Sequence, residues 1–316
     1  MNITLKIIAG IIVLTVFSIS LAQYSSVRVG VMPFSSRAGN ESNPDVVSGI
    51  MESMGKYKFI SLVEQEEITK ITDEIIKGQI GLVDENTAVQ AGKIYGIQVM
   101  IVGTVNGSTV NGRAVLVETG KIISTASSEI LSVDILGNKL AAGIESYLSR
   151  ENLKKLRNDS PKINFDFWVL KEDGGKIYAG NPGSLKIGTN ITFKLKSDTN
   201  GYCTIVDIQP GGDVVVLFPN VSQPDNSIIA GKEYTVPSED DSFRITISEP
   251  AGTDTVIAYF TKNKVDWLDR NSLEGEGFWS VKEGEKFNQS KGITLTATKL
   301  KATDWESREV SIEVLK

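Results

Sequence analysis

The sequence predicts an α/β or α+β layer domain with a mixed sheet, followed by an all-β, sandwich-like domain. Apolar runs alternate with amphipathic helical patterns as far as residue 157, which predicts layers of helices and strands. After a polar stretch at 158–161, short alternating runs follow one another between Gly, Pro, Asn and Asp, which predicts strands alone. The chain has 316 residues, more than one typical domain. We therefore expect a signal segment at 1–22, a first domain at 23–157 and a second at 158–316.

The amino-terminal segment has the pattern of an export signal. A positive start with Lys6 precedes an apolar run at 7–17, and Ser20-Leu21-Ala22 forms a small-x-small cleavage site. The apolar run is shorter than the roughly 20 residues that a membrane-spanning helix needs. We expect cleavage after Ala22 and a periplasmic protein; retention of the segment as a membrane anchor is the alternative.

The elements of the first domain follow from apolar periodicity and from the residues that stop it. In the predicted helix at 64–77, Ile68, Ile71 and Ile75 have helical spacing, and Gly78 ends the pattern. Its carboxylates are expected on a solvated face rather than as catalytic groups: Glu64, Glu66, Glu67, Asp73 and Glu74. The other predicted helices are 46–54, one capped by Asp84 or Asn86 that ends at Tyr95, and 139–157. The predicted strands are 27–34, 57–63, two strands on either side of a turn at 106–113, and 121–133.

The second domain is predicted from a series of short alternating runs, with a hairpin turn at 210–213. In order, the runs are NFDFWVL, SLKIGTNITFKLKS, GYCTIVDIQ, GDVVVLFP, KEYTVP, SFRITIS, DTVIAYFT and GITLTATKL. The segment at 267–287 has the composition of a loop, and a strand at 310–315 closes the predicted sheet. These patterns favour a sandwich or a barrel.

Composition narrows the classes of function. The chain carries 33 basic and 39 acidic residues, so nucleic acid has little electrostatic reason to bind. Histidine is absent, which removes the usual general base near neutral pH and the commonest zinc ligand. Cys203 is the single cysteine, and we expect a buried small hydrophobic residue rather than a reactive thiol because no histidine exists to activate it.

Residues that could carry chemistry or ligand binding are few. The adjacent carboxylates of Glu239, Asp240 and Asp241 could gather a hard cation, but a solvated loop is the simpler interpretation. The tryptophans are expected to pack in cores or at sheet edges, with a carbohydrate- or peptide-binding platform as the alternative: Trp168, Trp267, Trp279 and Trp305. We find no nucleophile elbow, phosphate loop or paired-cysteine motif, and we expect no catalytic residue, cofactor or metal.

Four segments of the first domain resemble a known family. VRVGVMPF, FISLVEQEEITKITDEI, AVQAGKIYGIQVMIVGTV and LVETGKIIS are similar to the core of the curli-secretion component family (CsgG) and its relatives, the LpoB-type activators and the amino-terminal module of TolB. The resemblance spans residues 27–148. Its glycine before the hairpin and its Thr-Gly turn after it correspond to Gly96 and to Thr119-Gly120. We expect structural roles for these turn residues: the glycines permit backbone angles that a side chain would penalise, and Thr119 can hydrogen-bond within the turn.

The second domain carries a resemblance of its own. GYCTIVDIQPGGDVVVLFPN, AGKEYTVP and FRITISEPAGTDTVIAYFTK are similar to the domain of unknown function 4384, over residues 165–265. That family implies no activity.

The signal pattern and the resemblance of the first domain together imply a protein of the cell envelope. We favour a non-catalytic interaction or assembly protein with an unidentified envelope protein as partner; peripheral association with a membrane and assembly into homo-oligomers stay open. The alternative is a subunit of an outer-membrane secretion channel of the curli type. A membrane-spanning strand needs roughly 9 to 11 residues, and the stretch at 106–113 is too short for a spanning hairpin. A hydrolase that uses lysine or carboxylates is a third hypothesis, which nothing in the sequence supports.

Overall fold

The computed structural model describes residues 26–36, 39–68, 70 and 85–316. The predicted signal segment at 1–22 and most of the predicted helix at 64–77 lie outside these residues; residues 65–68 are helical. No helix in the described ranges combines the length and the apolar character needed to cross a membrane.

Seven strands of the described residues form the first sheet. They are β1 (Val27–Val31), β2 (Ser35–Ser36), β3 (Gly39–Ser42), β4 (Ile60–Leu62), β5 (Val99–Asn106), β6 (Thr109–Leu116) and β7 (Lys121–Glu129). Strand β1 pairs in parallel with β4 and β5, while β5, β6 and β7 form an antiparallel meander. The sheet is therefore mixed, and the broad α+β class is confirmed.

Helices cover both faces of this sheet. They are α1 (Pro44–Met54), α2 (Glu85–Ile94) and α3 (Val133–Lys155). A hydrophobic core lies on each face of the sheet, and alternate residues of β5 point into one or the other. Val99 and Ile101 pack with α1 and α3, whereas Met100 and Val102 pack with α2. Helix α1 begins two residues before the predicted start because Asn43 Oδ1 accepts a hydrogen bond from the Val46 N–H.

Several predicted boundaries of the first domain are wrong. The strand predicted at 27–34 is β1, which ends at Val31, and the strand predicted at 57–63 is β4, which spans only Ile60–Leu62. The turn between β5 and β6 contains only Gly107 and Ser108, because Val110, Gly112 and Ala114 alternate towards the core and keep 109–113 in the strand. Strand β7 ends at Glu129, and a 3-10 turn follows at 130–132. Helix α3 starts at Val133 rather than at 139, since Leu136 already packs in the core.

The second half of the chain holds two further sheets and one helix. The strands are β8 (Phe165–Lys171), β9 (Lys176–Tyr178), β10 (Gly183–Lys186), β11 (Asn190–Ser197), β12 (Gly201–Ile208), β13 (Val214–Phe218), β14 (Ser227–Ile228), β15 (Glu233–Val236), β16 (Ile245–Thr246), β17 (Gly252–Thr261), β18 (Leu273–Glu274), β19 (Trp279–Val281) and β20 (Trp305–Leu315). The larger sheet has the order β10-β20-β17-β12-β13-β19-β18, with β14 on β12; the smaller has the order β15-β11-β8-β9, with β16 on β11. Side chains of both sheets share one core, in which Phe165 lies 5.2 Å from Phe260 between ring centroids.

Helix α4 (Lys286–Thr298) overturns the expectation that this half is entirely β. The run GITLTATKL was predicted as a strand because its apolar residues alternate, and 267–287 was predicted as a loop although it contains β18 and β19. In the fold, Phe287, Ser290, Ile293 and Ala297 are buried, at intervals of three and four residues. Burial along one helical face therefore decides against the local two-residue alternation.

Helices α3 and α4 connect the two halves. Glu145 on α3 is buried and accepts hydrogen bonds from the N–H groups of Gly284 (2.9 Å) and Phe287 (3.3 Å). Phe287 belongs to the core of the first sheet, whereas Leu153 and Leu156 belong to the core on the outer face of the larger second sheet. The two halves on either side of the predicted domain boundary at 157/158 are thus in contact. The division of the chain into two domains at this boundary stays a prediction.

Candidate interaction groove

The predicted turn residues lie at the open end of the β5–β6 hairpin, just before β5 and just after β6. Gly96 follows α2 with φ 61°, and Gly120 joins β6 to β7 with φ 72°. Both angles are in the left-handed region that favours glycine. Thr119 Oγ1 accepts a hydrogen bond from the Lys121 N–H at 3.3 Å, and the Gly120 N–H donates to Leu116 O at 2.8 Å. These groups shape the chain and do not converge on a ligand.

The structure gives neither Cys203 nor the acidic loop at 239–241 the surroundings of a reactive or metal-binding group. Cys203 is buried, as predicted, and burial raises the pKa of its thiol. Glu239 and Asp240 are exposed, while Asp241 Oδ2 accepts a hydrogen bond from the Ser238 N–H at 2.7 Å. Among the described residues no group of three or more cysteine or carboxylate side chains is placed to hold a metal ion.

The tryptophans do not form one platform. Trp267 and Trp305 are buried in the core beneath α4, and Trp168 lies beside Tyr178 on the smaller sheet. Trp279 is half-buried, with the Arg270 guanidinium 4.7 Å from its ring centroid. Trp267 and Trp279 line a small cavity of about 160 Å³.

Sequence reasoning missed two carboxylates in the second half that each have a buried oxygen atom. Asp207 on β12 and Asp254 on β17 share the sheet face of Cys203 and Ala258, which is the face of the core. The Oδ1 atom of each is buried without a hydrogen-bond partner among the described residues. Burial raises the pKa of Asp254 to about 6, and burial together with the charge of Asp254 holds the pKa of Asp207 well above its usual range. The sequence contained a signal for this position. Side chains two residues apart in a strand face the same side of the sheet, so Asp207 faces the same side as the buried Ile205.

A groove of about 520 Å³ lies between the carboxyl end of α3 and strand β20. Strand β20 pairs with β17 along its length but with β10 only from Ile312 onwards. Residues 305–311 therefore have no strand on that side within the described chain, and the groove opens there. Leu153, Leu156 and Ile257 line the groove but are buried. Accessible apolar surface comes from Pro161, Ala179 and Pro182; the remaining lining residues are Arg157, Asn158, Gly180, Glu306, Ser307, Arg308, Glu309 and Ser311.

Hydrogen bonds fix the walls of this junction groove. Asn158 Nδ2 donates to Ala302 O at 2.7 Å and to Trp305 O at 2.6 Å. The Gly180 N–H donates to Glu309 O at 3.1 Å, from the opposite wall. The linker after α3 and the turn after β9 are thus both attached to β20, which preorganises the groove.

Charges of both signs stand along the junction groove. Arg308 Nη1 lies 2.6 Å from Glu306 Oε1, and Arg157 Nη2 lies 3.4 Å from Glu309 Oε2. Glu306 is 2% exposed, and its Oε2 has no hydrogen-bond partner among the described residues. Apolar surface with alternating charges and hydroxyl groups suits recognition of a polypeptide segment, which offers apolar side chains and backbone donors and acceptors together.

Comparison with known proteins gives one family match and several distant structural likenesses. The family model described as domain of unknown function (DUF4384) matches residues 184–264. The expected likeness is confirmed over that range, which runs from β10 to just beyond β17. No curated protein matches the sequence. The likeness of the first domain to the curli-secretion family stays a prediction.

Three similar solved structures have low sequence identity to this chain. The LpoB C-terminal domain from Salmonella enterica is 14% identical with a TM-score of 0.29, and the match covers 34% of this chain and 83% of that one. TolB from Acinetobacter baumannii is 7% identical with a TM-score of 0.28, covering 76% and 58%. A PelC dodecamer from Paraburkholderia phytofirmans is 10% identical with a TM-score of 0.23, covering 39% and 87%. None of these scores reaches the level at which two chains are taken to share a fold. Residues 184–264 are therefore the part of this chain that resembles a defined family, the domain of unknown function 4384.

Proposed function

We propose that this protein is a non-catalytic interaction or assembly protein of the cell envelope, and that the junction groove binds a segment of its partner. The observation that carries the proposal is the composition of the groove: apolar side chains of Pro161, Ala179 and Pro182 beside charges of both signs on β20. Binding surfaces that combine an apolar centre with a polar rim are typical of protein partners.

The occupant we propose is an extended segment of an envelope protein. An extended chain offers N–H and C=O groups along its length, and the charged and hydroxyl side chains of Arg157, Glu309 and Ser311 line the groove where they can bind such groups. Arg157 and Glu309 at the groove can select a segment that carries both an acidic and a basic side chain.

Export to the envelope rests on the first residues of the chain. The signal pattern at 1–22 and the resemblance of 27–148 to envelope proteins support this part of the proposal. No observation in the structure favours the secretion-channel alternative, and we do not carry it further.

The test fills the junction groove without disturbing the fold. Ser311 lines the groove and is half-buried, whereas Ser242 lies on an exposed loop. We expect Ser311→Trp to weaken partner binding at least about tenfold, because the indole occupies the volume of the bound segment. Ser242→Trp is the matched control and should bind like the unmodified chain. Circular dichroism of both variants checks that each is folded.

The measurement is a pull-down from envelope extract with the mature chain, followed by titration of the captured protein. A partner that binds the unmodified chain and Ser242→Trp but not Ser311→Trp supports the proposal. Equal binding by both tryptophan variants would place the partner elsewhere on the molecule. Recovery of the native protein only from the cytoplasm would contradict the assignment to the envelope.

A further inference from the structure

Strand β7 is the last strand of the first sheet. It pairs with β6 along one side, and no strand of the described residues pairs with its outer side. Its sequence, KIISTASSE, contains neither proline nor a charge between its two ends. A register shift against β6 makes Ile123 an extra residue near the start of β7, whereas 124–129 pair with β6 without a break and form the regular part of the edge. Natural proteins usually protect such edges with proline, inward charges or a covering element, because an open strand pairs readily with another one.

Exposed apolar side chains stand at both ends of this edge. Ile122 at the start of β7 is 41% exposed. Leu131, just after β7, is 92% exposed, and Ile135 in the first turn of α3 is 46% exposed. Scattered surface leucines need no explanation, but these side chains flank an unpaired strand, where a second strand would cover them.

We propose that a second copy of this chain pairs with β7, strand to strand and antiparallel, about a twofold axis near Thr125. Such an interface is isologous, so each copy supplies the same surface. The outer backbone groups of both strands become paired, which removes two open edges at once. The proposal does not rest on the proposed function, because the junction groove is built by other elements.

The strand is complementary to itself in this orientation. Residues at equal distances on either side of Thr125 face each other across the axis. Because Ile123 is an extra residue in β7, Lys121 of one copy comes within side-chain reach of Glu129 of the other rather than directly opposite it, and the pair occurs twice. The same rotation carries the Leu131 end of one copy towards the Ile122 end of the other. A parallel pairing would place lysine beside lysine and glutamate beside glutamate, which is why the charges select the antiparallel form.

The first experiment tests the position of the axis. Thr125→Cys introduces an exposed thiol, and the native Cys203 is buried and does not compete. Residues directly opposite each other in antiparallel strands are close enough for a disulfide. We expect Thr125→Cys to form a disulfide-linked dimer under mild oxidation. Ser242→Cys, on an exposed loop, should remain monomeric on a non-reducing gel.

The second experiment tests the charges by sedimentation of the full mature chain. Glu129→Lys sets lysine against lysine at both contacts, and we expect the dimer dissociation constant to rise about tenfold. The exchange Lys121→Glu with Glu129→Lys restores opposite charges and should return the constant to the native value. Because Lys121 also lies 4.9 Å from the Tyr147 ring centroid, thermal unfolding of each variant checks that the monomer stays folded.

Three results would overturn the proposal. The first is a monomer at every concentration, with amide hydrogens of β7 protected from exchange; another part of the same chain would then cover the edge. The second is a monomer with unprotected β7 amides, which would mean that the edge stays open. The third is a dimer that neither Thr125→Cys nor Glu129→Lys affects, which would place the contact elsewhere.

Discussion

At the scale of single residues, Asp207 and Asp254 are the charges that the fold accommodates least well. They lie on neighbouring strands and face a core of apolar side chains. Removing a carboxylate from water without a hydrogen bond or a cation disfavours its ionised form, and a second carboxylate nearby adds to the effect. At neutral pH the pair therefore destabilises the second half of the chain.

We expect the free energy of unfolding to fall as pH rises from about 4 to above 6, and the two aspartates to cause this fall. The pKa of Asp254 is about 6 in the folded chain, against about 3.9 when unfolded. Between these values the folded state binds more protons than the unfolded state, so stability is lost as pH rises through the folded pKa. Urea denaturation at several pH values measures the slope.

Asparagine at either position should flatten that slope. We expect Asp207→Asn and Asp254→Asn to stabilise the chain at about pH 8, by on the order of 1 to 3 kcal/mol, and to have little effect at about pH 4. Asp240→Asn, at an exposed carboxylate, is the control and should leave the pH dependence as it is. An unchanged slope in both core variants would show that these carboxyl groups are solvated.

At the scale of elements, helices α3 and α4 show that one glycine can be replaced and another cannot. Gly292 lies inside α4, where an added Cβ would meet open space. Gly137 lies on α3 against α1, where an added Cβ would meet Ser53 Oγ and Ile50 O. Gly292 lowers the stability of α4, and no close contact requires a glycine there. Gly137 allows α3 and α1 to approach closely.

Alanine at these two glycines should have opposite effects. We expect Gly292→Ala to raise the free energy of unfolding by about 1 kcal/mol, since alanine loses less backbone entropy in a helix. Gly137→Ala should lower it by about 1 to 3 kcal/mol through overpacking. Chemical denaturation of the two variants beside the native chain measures both. A destabilised Gly292→Ala would contradict the helical assignment of this run, which the sequence pattern had favoured as a strand.

At the scale of the whole molecule, the contacts of α4 with α3 hold the two halves together. Phe287 lies 5.7 Å from Phe59 between ring centroids, in the core of the first sheet. Glu145 accepts hydrogen bonds from the start of α4, and the Lys286 ammonium lies 2.6 Å from Asp213 Oδ1. The linker at 159–162, in contrast, is exposed. We therefore propose two folding units that stay associated when the linker is cut.

Trypsin should cleave the native chain after Arg157 or Lys162, and the fragments should elute together on size exclusion. Phe287→Ala should allow the cleaved fragments to separate, because it removes a fully buried ring worth about 3 to 5 kcal/mol in packing. Leu295→Ala, on the exposed side of the same helix, is the control and should leave them associated. Fragments of the unmodified chain that separate in native buffer, or a linker that resists trypsin, would contradict this description.

The sequence by itself determined those features that depend on neighbouring residues. Alternation in VRVGV, in NFDFWVL and in DTVIAYFT predicts strands because side chains of a strand face opposite sides in turn, and β1, β8 and β17 lie there. The broad α+β class and the burial of Cys203 followed from the same kind of local information and from composition. The likeness to the domain of unknown function 4384 was also visible in short segments.

Only the tertiary structure decided the features that depend on distant residues. The run at 286–298 fits a strand or a helix locally, and the burial of Phe287 against Phe59 selects the helix. Asp207 and Asp254 meet because β12 pairs with β17, and the junction groove exists because β20 returns beside the end of α3. A local pattern carries no record of which strands pair or which helix covers which face, since those choices follow from burying apolar surface across the whole chain.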